Sequence, residues 1–126
     1  MRGCLMFTIE RIHKKKTVIL LTWSDIVSHS EILEMNQQLQ KIQQLESRCS
    51  FSLIIDATHL VALAPDAKEA MLLQQQLIGT FIDFLAIVSV NPTVKRQMED
   101  TIKYSSNIPH LHFIHLHDVL VHIDSF

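Results

Sequence analysis

Phe51-Ser52-Leu53-Ile54-Ile55-Asp56 is apolar from end to end apart from one serine and the closing aspartate. A strand loses its polar alternation when neither face of its sheet meets water, so this run predicts a strand buried on both sides and ending at Asp56. Upstream, Ser28-His29-Ser30-Glu31 has the Ser-x-x-Glu form of a capping box. There the hydroxyl and the carboxylate satisfy the first free amides of a helix. Ile32, Met35, Leu39, Ile42 and Leu45 follow at three- and four-residue spacing, with Gln37, Gln38, Lys41 and Gln44 between them. That spacing predicts an amphipathic helix ending near Glu46. Earlier still, Leu5–Ile12 and Thr17–Trp23 are rich in β-branched and aromatic residues and flank His13–Lys16. They read as an antiparallel hairpin with a basic tip.

Downstream, Pro65 suits the first turn of a second helix, and Asp66 and Glu69 are placed favourably against its dipole. Met71, Leu72, Leu73, Leu77 and Ile78 supply its apolar side, and Gly79 its stop. Phe81–Val90 is the next buried strand. Asn91-Pro92 opens a third helix with Val94, Met98, Thr101 and Ile102 inward and Lys95, Arg96, Glu99 and Lys103 outward. His110–His115 is the last strand, and His117–Ile123 forms a short closing helix. The expected fold is α/β in the order β-β-α-β-α-β-α-β-α. A single mixed sheet begins with an antiparallel hairpin and continues as parallel strands joined by right-handed helical crossovers.

The chain has 126 residues, room for one hydrophobic core and not two, so residues 1–126 are read as one domain. A hydrophobic content of 48% against 19% charged residues suits a sheet covered by helices on both faces. The formal net charge is −2 and the only lysine run is Lys14–Lys16, which gives no field for nucleic acid. Apolar stretches such as Val18–Leu21 and Phe81–Val90, the latter interrupted by Asp83 and Ser89, fall well short of the ~20 residues of a membrane span. Cys4 and Cys49 fit a reduced, cytoplasmic protein without a disulfide framework. A lipid anchor at Cys4 lacks the apolar segment that should precede it.

Catalysis finds little to work with. There is no Gly-x-Ser-x-Gly elbow, and Gly3 and Gly79 alone cannot build a phosphate-cradling loop. The expectation is therefore a protein that is not an enzyme and carries no cofactor. His110, His112, His115, His117 and His122 crowd the C-terminus, and a metal reading would take His115 and His117 with His59 or Asp56. Strand alternation splits that cluster, since His110 and His112 share one face and His115 takes the other. No cysteine or paired carboxylate completes a tetrahedral set, so the histidines are read as structural. In open α/β sheets ligands bind beyond the carboxyl ends of the strands. Asp56, Thr58, His59, Asn91, His115 and His117 fall there, with Asp66 at the second helix, and form the candidate partner- or ligand-binding edge. Capping and turn formation account for Asp and Asn at such positions equally well.

Several of these local sequences resemble one family. Leu53-Ile54-Ile55-Asp56, Ala86-Ile87-Val88-Ser89-Val90-Asn91, Lys95-Arg96-Gln97-Met98 and the Phe113–Val121 passage, in this element order, resemble STAS-like domains. The likeness is to the small stand-alone bacterial type, related to anti-sigma-factor antagonists and to CRAL-TRIO-like domains, and runs from Met6 onward. In the antagonists the loop after this strand carries a serine that is phosphorylated, which adds about −2 charge at a helix N-terminus. The matching stretch here, Val61-Ala62-Leu63-Ala64-Pro65-Asp66, contains no hydroxyl. What the resemblance implies is a regulatory, protein-interaction module without the phosphorylatable loop, working at the strand-end edge and the second helix. Its CRAL-TRIO side implies an alternative, a small apolar or lipid-like ligand. The apolar surplus of Trp23, Met35, Met71, Leu72, Leu73, Phe81 and Phe84 suits a lipid pocket or a dimer surface as well as a closed core. A histidine-based metal protein is a third reading. Gln37, Gln38, Gln40, Gln74, Gln75 and Gln76 suit either a homodimer interface or a solvated face.

Overall fold

A computed structural model of the chain describes residues 7–11, 18–45, 51–78, 82–102 and 110–124. The elements follow in the order β1 (Phe7–Arg11), β2 (Val18–Val27), α1 (His29–Leu45), β3 (Phe51–Leu63), α2 (Ala67–Ile78), β4 (Ile82–Val88), α3 (Pro92–Ile102), β5 (His110–Phe113) and α4 (Leu116–Asp124). The strands form one sheet in the order β1-β2-β3-β4-β5. β1 runs antiparallel to β2, from Phe7 opposite Trp23 to Arg11 opposite Ile19. β2, β3, β4 and β5 are parallel to one another. The expected basic tip at His13–Lys16 lies outside the described residues, as do Cys4, Cys49, Gly79, Phe81 and Lys103.

Because each parallel strand sits beside the one before it, right-handed crossovers all advance in one direction. They put α1, α2 and α3 on the same face. Ile19, Leu21 and Trp23 of β2, Leu53 and Ile55 of β3, and Leu85 and Ile87 of β4 are buried there. Above them lie Ile32, Met35 and Leu39 of α1, Ala67, Ala70 and Met71 of α2, and Val94 and Met98 of α3. Each large apolar side chain removed from water contributes roughly 1.5–3 kcal/mol, and most of them are on this face. The second face gathers Val18, Leu20, Ile54, Phe84, Ala86 and Val88 against Val119 and Ile123 of α4. The expected helical cover on both faces is thus unequal, with three helices on one side and α4 on the other among the described residues.

The helix starts follow the sequence closely. Ser28 N–H donates to Glu31 Oε1 at 3.2 Å and Glu31 N–H donates to Ser28 Oγ at 3.4 Å, the reciprocal bonds of a capping box. Asn91 Oδ1 accepts from Thr93 N–H at 2.9 Å ahead of α3. Pro65 corrects one expectation: it lies in a turn with Asp66, and α2 begins at Ala67.

β3 corrects a larger one. The strand does not end at Asp56 but runs on to Leu63 beside the last residues of β2. Asp56 pairs with Thr22 and His59 with Ser24; Leu60 then pairs with Asp25 and Ala62 with Ile26. At each step β3 holds one residue more than β2, which makes two bulges. The first turns Leu60 onto the core shared by Ile55 and Ala57. His59 and Val61, which unbroken alternation would bury, are exposed. Asp25, opposite Leu60, takes a left-handed φ of 55°, a conformation that Asp tolerates better than most residues. No helix among the described residues is long and apolar enough to cross a membrane.

Candidate functional site

The β3 extension delivers the chain to a short turn, Ala64–Asp66, ahead of α2. Neighbours on three sides hold it. Ala64 N–H donates to the Val27 carbonyl at the end of β2 at 2.9 Å, and Ala67 N–H closes the turn on the Ala64 carbonyl at 2.9 Å. Leu63 N–H donates to Gln97 Oε1 of α3 at 3.3 Å. His29 Nδ1 of α1 lies 3.1 Å from the Asp66 carbonyl. A carbonyl only accepts, so Nδ1 carries the proton in this contact.

Pro65, Asp66, Lys68 and Glu69 are exposed, and a cleft lies on each side of them. One, of about 260 Å³, is lined by Leu63, Ala64, Pro65, Lys68, Gln97 and Asp100. The other is lined by His29, Pro65, Asp66, Lys68, Glu69 and Leu72. Since Pro65 and Lys68 border both clefts, the first turn of α2 stands as a ridge between two depressions. Leu63, Ala64 and Pro65 give the first cleft an apolar lining, and Lys68, Gln97 and Asp100 give it polar groups.

The residues of the predicted edge do not form one cluster. Asp66 is on the ridge. Asp56, Thr58 and His59 lie within β3, where Asp56 Oδ1 accepts from Thr58 N–H at 3.0 Å and from the Thr58 hydroxyl. The carboxylate thereby fastens the first bulge. Asp56→Ala should therefore cost about 1–2 kcal/mol of stability, while Asp56→Asn, which keeps an acceptor, retains most of it. Urea unfolding of both variants measures the difference. Asn91 is occupied as the cap of α3. His115, whose carbonyl accepts from Asp118 N–H at 3.2 Å, and His117 are exposed beyond β5, which β4 separates from β3. Among the described residues no three His, Cys, Asp or Glu side chains converge to hold a metal ion.

His29, Lys68 and Gln97 belong to the ridge and its supports, and the sequence reading singled out none of them for it. His29 looked like filler inside a capping box. The sequence holds no signal that its ring would meet a carbonyl 37 positions away.

No protein-family model matches the chain, and no curated protein matches it. Solved structures do. An uncharacterised protein of the DUF3478 family with a SpoIIAA-like fold, from Shewanella loihica, is similar over 96% of this chain and 97% of its own at 17% identity, with a TM-score of 0.72. The anti-sigma factor antagonist SpoIIAA in its unphosphorylated form is similar over 95% of this chain and 99% of its own at 7% identity, with a TM-score of 0.68. An anti-sigma factor antagonist from Mycobacterium paratuberculosis is similar over 98% and 99% at 14% identity, with a TM-score of 0.63. Identities this low speak for architecture alone, and on that ground the chain has the STAS-like fold of SpoIIAA.

Proposed function

We propose that the chain is a non-enzymatic regulatory module that docks a protein partner on the ridge at the start of α2, without phosphorylation of that ridge. The observation that carries this reading is the turn Ala64–Asp66, fastened to β2, α1 and α3 and flanked by two clefts. A surface held in place before binding loses less entropy on docking. Two of the fold's neighbours are anti-sigma factor antagonists, which supports a regulatory role exercised through protein contacts. Where a phosphoserine would add a switchable charge of about −2, residues 61–66 offer no hydroxyl, and Asp66 supplies a fixed carboxylate.

Trp23, Met35 and Met71 are closed into the main core and Leu73 is exposed, so no observation favours the apolar-ligand reading. The proposal is tested by placing a photo-crosslinking residue at position 68 on the ridge, and separately at the exposed Gln44 near the far end of α1. In cells that make the protein, position 68 should give a discrete protein adduct that position 44 does not, and Asp66→Lys should abolish it. Equal adducts from both positions, or an adduct unaffected by Asp66→Lys, would move the docking surface elsewhere.

A further inference from the structure

β5 is an edge strand, and His112 within it faces α3. Its side chain is 18% exposed. Both ring nitrogens are shut off from solvent without a hydrogen bond among the described residues. Glu99 Oε1 of α3 stands 3.6 Å from Nε2, beyond good hydrogen-bond range. Among the described residues, the charged and titratable groups facing the ring are Glu99 and Lys95 on α3 and His110 on its own strand. The His110 ring is edge-on to that of His112, with centroids 6.4 Å apart. β4, the remaining neighbour, sets the uncharged Ile87 opposite His112.

We propose that His112 is an acid-sensitive latch between the edge strand β5 and helix α3, closed when the imidazole is neutral and loosened when it is protonated. A neutral ring fills the space under α3. A charged ring there loses its hydration and gains only a long contact to one half-exposed carboxylate. Burial lowers the His112 pKa below the ordinary 6.5; Glu99 opposes that shift, and Lys95 and His110 reinforce it. The sign follows from linkage: the unfolded chain takes the proton more readily than the folded one. The stabilisation from neutral His112 is complete above the ordinary imidazole range and is lost as pH falls from there toward the depressed folded value. α3 also carries Gln97, so a loosened α3 slackens one of the three supports of the ridge. The latch itself stands whatever docks there.

The test is histidine titration by NMR together with amide exchange of β5 and α3, from about pH 7.5 to about pH 5.5, where imidazoles change charge. His112 should titrate below the ordinary imidazole value of 6.5. After correction for intrinsic exchange, amides of β5 and α3 should lose protection on acidification. His112→Phe should abolish that loss, and Glu99→Gln, on the exposed side of the pair, should steepen it by removing the opposing anion. A His112 midpoint at or above 6.5 would overturn the latch. So would equal acid sensitivity in wild type and His112→Phe. Should His112→Phe fail to fold, a Glu99→Gln variant no more acid-sensitive than wild type overturns it instead.

Discussion

Trp23→Ala should lower the unfolding free energy by about 3–5 kcal/mol, the cost of a large cavity in a core that can close on it only in part. Trp23 is wholly buried on the three-helix face of β2, paired with Phe7 and lying within the first register shift against β3. Losing it removes the largest side chain from the place where the regular sheet gives way to the bulged ribbon. Trp23→Phe should cost far less. The indole Nε1 is buried with no partner among the described residues, so phenylalanine gives up volume but no hydrogen bond. Urea unfolding separates the two variants, as a shift of midpoint at constant slope. A Trp23→Ala protein within about 1 kcal/mol of wild type would contradict this burial.

Gln75→Leu should act in the opposite direction and raise stability by about 1–3 kcal/mol. Gln74 and Gln75 are both 0% exposed on α2. Gln74 Nε2 at least reaches the Met35 sulfur at 3.8 Å, although its Oε1 has no partner. Neither the oxygen nor the nitrogen of the Gln75 side chain has one among the described residues. A buried amide in that state has given up its water without replacement, and leucine carries no such cost. The same unfolding assay reads the gain. A loss of more than about 1 kcal/mol would mean that Gln75 is paired in solution.

These two glutamines mark where polarity misled the sequence reading. Read as a solvated face or an interface, Gln74 and Gln75 instead point inward, and only Gln76 of the three is exposed. The flanking Leu73, apolar on paper, is 47% exposed. Elements with local signals were legible. Ser28 and Glu31 mark the start of α1 and Asn91 that of α3, and the three-and-four spacing of Ile32, Met35 and Leu39 marks the buried stripe of α1. The extent of β3 was not legible, because two bulges break the two-residue period between Asp56 and Leu63. A stretch such as Ala57-Thr58-His59-Leu60 then looks like a loop. The ridge was half visible: Asp66 and the missing hydroxyl could be read directly, while its supports at Val27, His29 and Gln97 arise only once three distant elements meet.

Hydrogen–deuterium exchange of the chain, alone and bound to the protein crosslinked from position 68, reports most directly on docking at the ridge. Binding should slow exchange across residues 63–70 and at the start of α1, leaving α4 unchanged and adding no phosphate mass to the chain. Slowing confined to β5 and α4, or a bound form that requires phosphorylated protein, would contradict it.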